Sequence, residues 1–74
     1  MAKPGFKLVR DIYRRGNGRW AKVTRQHERI NETWFPYYVC AAGVDGQIQA
    51  RNAERFATKR QAIATADDWI EFGA

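Results

Sequence analysis

The chain has 74 residues and a formal net charge of +5, with nine Arg and four Lys against eight acids; 45% of its residues are hydrophobic and 14% aromatic. That length allows one domain, residues 1–74, with a thin core that buries roughly 60–65% of the surface of the unfolded chain. The aromatic content excludes a disordered chain, the single cysteine excludes an internal disulfide, and no stretch approaches the ~20 apolar residues of a membrane helix.

Taken in chain order, Phe6–Tyr13 is rich in β-formers without helical spacing and reads as a first strand. Arg14-Arg15-Gly16-Asn17-Gly18 reads as a tight turn, because Gly and Asn accept positive φ. Arg19–His27 alternates as a second strand, with Trp20, Lys22, Thr24 and Gln26 on one side and Ala21, Val23 and Arg25 on the other. Glu28–Thr33 is polar and predicts a loop. Trp34–Ala42 is nearly all aromatic, β-branched or small, and predicts a strand with both faces at least partly covered. Pro36 belongs at an end, edge or bulge of that strand, since it cannot donate a ladder hydrogen bond. Gly43–Gly46 predicts a second hairpin turn, and Gln47 to about Arg55 a fourth strand with Ile48 and Ala50 inward.

The helix has a clear start and face. Thr58 is a good N-cap. Ala62, Ile63, Ala66, Trp69, Ile70 and Gly73 fall on one stripe, with Asp67, Asp68 and Glu71 opposite. The fold expected is α+β: a β-meander of three or four antiparallel strands with one C-terminal helix packed on one face. The helix charges run against its dipole, with Lys59 and Arg60 in the first turn and the three acids toward the end. Two accounts fit: partners on the basic strands, or Lys59 and Arg60 extending a binding surface.

The chain offers little for catalysis. It has no serine, one His and one Cys, so Cys40 and His27 are the sole nucleophile–base pair of that kind. Cys40 sits in the most apolar segment, where a thiol is usually an inert core residue. One Cys and one His show no zinc spacing. Gly16-Asn17-Gly18 lacks the Gly-Lys-Ser/Thr ending of a phosphate loop and precedes a strand, not a helix. Asp67, Asp68 and Glu71 are neighbours on a helix and read as a solvated face. The expectation is a protein that is not an enzyme and uses no metal or other cofactor.

The charge distribution points to binding. All 13 basic residues fall in residues 1–60, while 61–74 carry three acids and no base. Such a polarised field attracts polyanions or an acidic protein surface. Arg and aromatics interleave around the first hairpin, and Arg10, Tyr13, Arg14, Arg15, Arg19, Trp20, Lys22, Arg25 and Arg51 are the candidate nucleic-acid-binding residues. Arg forks grip phosphate oxygens and exposed rings stack on bases. Gln26, Gln47, Gln49 and Arg51, placed on the open sheet face, are side chains that read base edges in a groove, which favours DNA over RNA. Trp20 serves either as a stacking platform or as a ring packed under a loop.

In outline, basic hairpin strands followed by a capped Ala-rich helix, the chain is similar to the arm-binding domains of tyrosine recombinases and the plant AP2 domain. That likeness implies DNA binding, although no diagnostic motif matches residue by residue. The same outline occurs in antitoxins and small phage inhibitors. The leading expectation is therefore a cytoplasmic nucleic-acid-binding accessory protein without a membrane segment. The alternative is a phage- or mobile-element-type inhibitor, anti-CRISPR-like, that binds the acidic surface of a host protein stoichiometrically. The apolar residues of Trp34–Ala42 would also suit a homodimer.

Overall fold

The computed structural model describes residues 11–73 and has the expected class: a four-stranded antiparallel sheet with one helix packed on one face. Strand β1 is Ile12–Gly16, β2 Arg19–Ile30, β3 Thr33–Val44 and β4 Asn52–Phe56; helix α1 is Lys59–Phe72. The strands lie in sequence order, β1-β2-β3-β4. Two hairpins set the register. Asn17 and Gly18 both take positive φ, 54° and 74°, and connect Gly16 to its partner Arg19. Asn31 and Glu32 do the same at 49° and 65°, connecting Ile30 to Thr33. Both are two-residue loops with the mirror-image twist that suits right-twisted strands.

Several boundaries differ from expectation. The first turn is two residues, so Arg14, Arg15 and Gly16 belong to β1; the expected strand over Phe6–Arg10 lies outside the described residues. The polar stretch Glu28–Thr33 is not a loop. It carries strand on both sides of the Asn31-Glu32 turn, making β2 and β3 12 residues each. The fourth strand is shorter than expected. Gln47–Arg51 forms an excursion, and Ile48, expected inward, is 98% exposed. The chain leaves β3 through a turn in which the Gln47 N–H donates to the Val44 carbonyl. It rejoins the sheet where the Arg51 N–H donates to the Ala42 carbonyl. An alternating pattern alone does not make a strand where neighbouring groups hold the backbone in another path.

The helix closes one face. The Thr58 hydroxyl accepts from the Gln61 N–H at 3.3 Å, capping the first turn. At the far end Gly73, at φ 73°, donates its N–H to the Trp69 carbonyl, a left-handed stop that glycine makes without steric cost. Ala62, Ala66 and Trp69 are buried against Ala21, Val23, Cys40 and Ala42, with Ile12, Tyr38, Val44, Phe56, Ile63 and Ile70 at the margins. Four alanines in this cluster bring the helix close to the sheet, and Trp69 supplies the bulk. No helix among the described residues is long and apolar enough to cross a membrane.

Candidate nucleic-acid interface

Strand alternation divides the basic residues between two faces, because successive side chains point to opposite sides. Arg14 pairs in register with Ala21, Arg19 with Val44 and Arg25 with Tyr38, which puts all three on the helix side. Tyr13 pairs with Lys22, and Arg15 with Trp20, on the open side. The candidate residues from the sequence therefore split. Tyr13, Arg15, Trp20 and Lys22 come together; Arg14, Arg19 and Arg25 face the other way. Arg51 lies exposed just before β4, and Arg10 lies outside the described residues.

Arg14 and Arg19 hold the helix. Arg14 Nε is 2.9 Å from Asp67 Oδ1. Arg19 donates from Nη1 to the Ile70 carbonyl at 3.0 Å and approaches the Trp69 ring at 6.0 Å. Asn17 Nδ2 donates to the same carbonyl at 3.0 Å. A cation against the last carbonyls of a helix complements its dipole. The Arg14–Asp67 pair is a strand partner of the kind foreseen for the helix acids, whereas Arg19 and Asn17 reach a backbone carbonyl of the helix instead.

The open-face group is arranged as a cleft. Tyr13, Arg15, Trp20, Lys22, Gly46, Gln47 and Ile48 line a depression of about 430 Å³. Trp20 forms its floor. Its Nε1 donates to the Val44 and Gln47 carbonyls, each at 3.0 Å, and its ring lies across Gly43, where any Cβ would meet it at 2.5 Å. The glycine near the end of β3, in register with Trp20, is thus the seat of the indole. Trp20 packs against the Gly43–Gln47 segment, one of the two expectations for it, and its ring also lines the cleft. Tyr13 is 67% exposed. The Arg15 side chain is 78% exposed, with Nε 3.8 Å from Asp45 Oδ1. Gln47 and Gln49, expected as open-face strand residues, belong to the excursion instead.

A second group shares the open face further along β2 and β3. The Arg55 guanidinium lies 3.9 Å from the Tyr37 ring centre and pairs with Glu28. Tyr37 Oη donates to Gln26 Oε1 at 2.8 Å. Glu28, Pro36, Tyr37, Arg55, Phe56 and Ala57 line a depression of about 410 Å³. Sequence reading missed Tyr37 and Arg55 as site residues. Their spacing alone does not show that Arg55 of β4 lies over the ring of Tyr37 on the neighbouring β3.

Cys40 is buried, and burial first, then the Glu54 charge, pushes its thiol above the ordinary value. It stays protonated at neutral pH and is a poor nucleophile. Among the described residues no three His, Cys, Asp or Glu are placed to hold a metal ion. In comparisons with protein-family models, curated proteins and solved structures, the chain matches none.

Proposed function

We propose that this domain binds nucleic acid, DNA in preference to RNA, through the open face of its sheet. The observation that carries the reading is the cleft that gathers Tyr13, Trp20, Arg15 and Lys22 on the face opposite the helix. Arg15 and Lys22 supply cations for phosphate oxygens, and Tyr13 offers an exposed ring for stacking on a base. Thr24 and Gln26 continue the same face of β2 and carry groups suited to base edges. No step of this reading requires catalysis.

Arg14 and Arg19 do not belong to the binding surface in this reading, and that separates it from a simple count of basic residues. The test is fluorescence anisotropy of labelled single- and double-stranded oligonucleotides at about 50 and 200 mM salt. Binding is expected to fall steeply with salt. The double variant Arg15→Ala/Lys22→Ala is expected to keep its fold and to make the salt dependence shallower by about 2 in log–log slope. Arg19→Ala is expected to lower stability instead. An unchanged slope in the Arg15/Lys22 variant removes this surface from consideration.

One observation favours a second reading. Ile48 stands 98% exposed on the rim of the cleft, and an apolar anchor beside cations also suits an acidic protein partner. A host-blocking inhibitor of this kind would ignore bare nucleic acid at low salt and form a stoichiometric complex with one protein.

A further inference from the structure

The geometry of the second open-face group points to a phosphate subsite that the protein fills with its own carboxylate. We propose that Arg55, placed over the Tyr37 ring, is a second anion-binding position for the nucleic-acid backbone, and that Glu28 occupies it until a phosphate displaces it. This inference rests on the nucleic-acid reading above and extends its footprint.

The arrangement is specific. Glu28 belongs to β2 and Arg55 to β4, and β3 runs between them. Their side chains meet over β3, beside the ring of Tyr37. Tyr37 is itself fixed at its hydroxyl by Gln26. A guanidinium stacked on a ring keeps its N–H edge free and in one orientation, so little freedom remains to be lost on binding an oxyanion. Carboxylate and phosphate present the same kind of acceptor pair to that fork. An exposed ion pair between non-adjacent strands does little for the fold. A pre-oriented Arg on the binding face does much for an anionic ligand.

Glu28 stays anionic through the neutral range. The Arg55 hydrogen bond, more than the Coulombic attraction, holds its carboxyl below the ordinary value. From Lys22 to Gln26 along β2 is four residues, about 13 Å. Gln26 pairs with Tyr37 across the ladder, so both positions fall on one track along the open face. Glu28 would then weaken binding to any polyanion that reaches only the first cleft and cannot displace it.

The test compares Glu28→Gln, Arg55→Ala, the double variant and Glu32→Gln with wild type. The probe is a labelled duplex of about 12 base pairs, long enough for both positions, read by anisotropy across a salt series. Glu32→Gln makes the same charge change at the hairpin tip and controls for net charge. Glu28→Gln is expected to tighten binding about tenfold at low salt and to steepen the salt slope by about 1. That gain is expected to vanish in the double variant and to exceed the gain of Glu32→Gln. A gain that survives without Arg55, or that only equals the Glu32 control, overturns the subsite. So does no gain in a protein whose binding still depends on Arg15 and Lys22, and there the first cleft stands. No binding by wild type or Glu28→Gln at low salt overturns the nucleic-acid reading and the subsite with it.

Discussion

At Gly43 two tryptophans meet the sheet from opposite sides. Trp20 lies across it on the open face, and Trp69 Nε1 donates to its carbonyl at 2.9 Å from the helix face. One residue thus couples the floor of the cleft to the core. Gly43→Ala would place a Cβ 2.5 Å from the Trp20 ring, and the ring, not the strand, would have to move. Its two hydrogen bonds to the Val44 and Gln47 carbonyls would be lost with it. We expect a stability loss of about 1–3 kcal/mol by urea denaturation. A change in Trp fluorescence and weaker oligonucleotide binding should accompany it. A variant with native stability and an unmoved indole spectrum would show that the ring is not seated as described. Residues such as Trp20 and Lys22 were legible as a shared face because alternation needs only the strand to be right. Arg14 and Arg19 were not, since their role depends on Asp67 and the Ile70 carbonyl, which only the packing of the helix on the sheet brings to them.

Among the elements, the helix was the most legible. Its cap and its apolar stripe are local signals that appear where the sequence puts them, while Gly73, expected at the end of the stripe, is instead the left-handed stop. The hairpins were legible in proportion to their turn chemistry. Asn17-Gly18 carries the usual signature of a two-residue turn, whereas Asn31-Glu32 hides the same backbone behind a glutamate. Glu32 sits at φ 65°, a conformation that costs an L-residue with a Cβ about 1–2 kcal/mol. Glycine removes that cost but adds freedom to the unfolded chain. The balance predicts that Glu32→Gly raises stability by up to about 1 kcal/mol, measured by chemical denaturation. A loss of stability would mean that the Glu32 side chain contributes more at the tip than its backbone costs. The fourth strand was misplaced because Gln47–Arg51 alternates as a strand does. Its backbone is instead held by Trp20 and by turn bonds to Val44 and Ala42, partners distant in sequence or invisible in its pattern.

Over the whole molecule, mass and charge are both unevenly spread. The principal extents are 43 × 19 × 17 Å. The buried cluster occupies only the part of β2 and β3 around Ala21–Val23 and Cys40–Ala42. Beyond Tyr38, β3 has no β4 partner, and the β2–β3 hairpin runs on to Ile30 and Thr33. Acidic Asp67, Asp68 and Glu71 lie exposed on the helix, while Arg15 and Lys22 lie on the opposite face of the sheet. The hydrogen-bond ladder alone does not set stability; burial behind it does, and local opening follows where burial is thin. Native-state hydrogen exchange should therefore divide the long hairpin. Amides of Ala21–Val23 and Cys40–Ala42 are expected to exchange near the limit of global unfolding. Those of His27–Ile30 and Thr33–Phe35 are expected to exchange faster by at least about tenfold, a difference of about 1.4 kcal/mol in opening free energy. Binding a duplex that reaches Arg55 should slow exchange in the distal group, because that ligand would add a bridge across β2, β3 and β4 to the Glu28–Arg55 pair and the Tyr37 contacts. Uniform protection along the hairpin without ligand would mean that the distal part is held as firmly as the core, and Tyr37 and Arg55 would then sit on a rigid platform from the start.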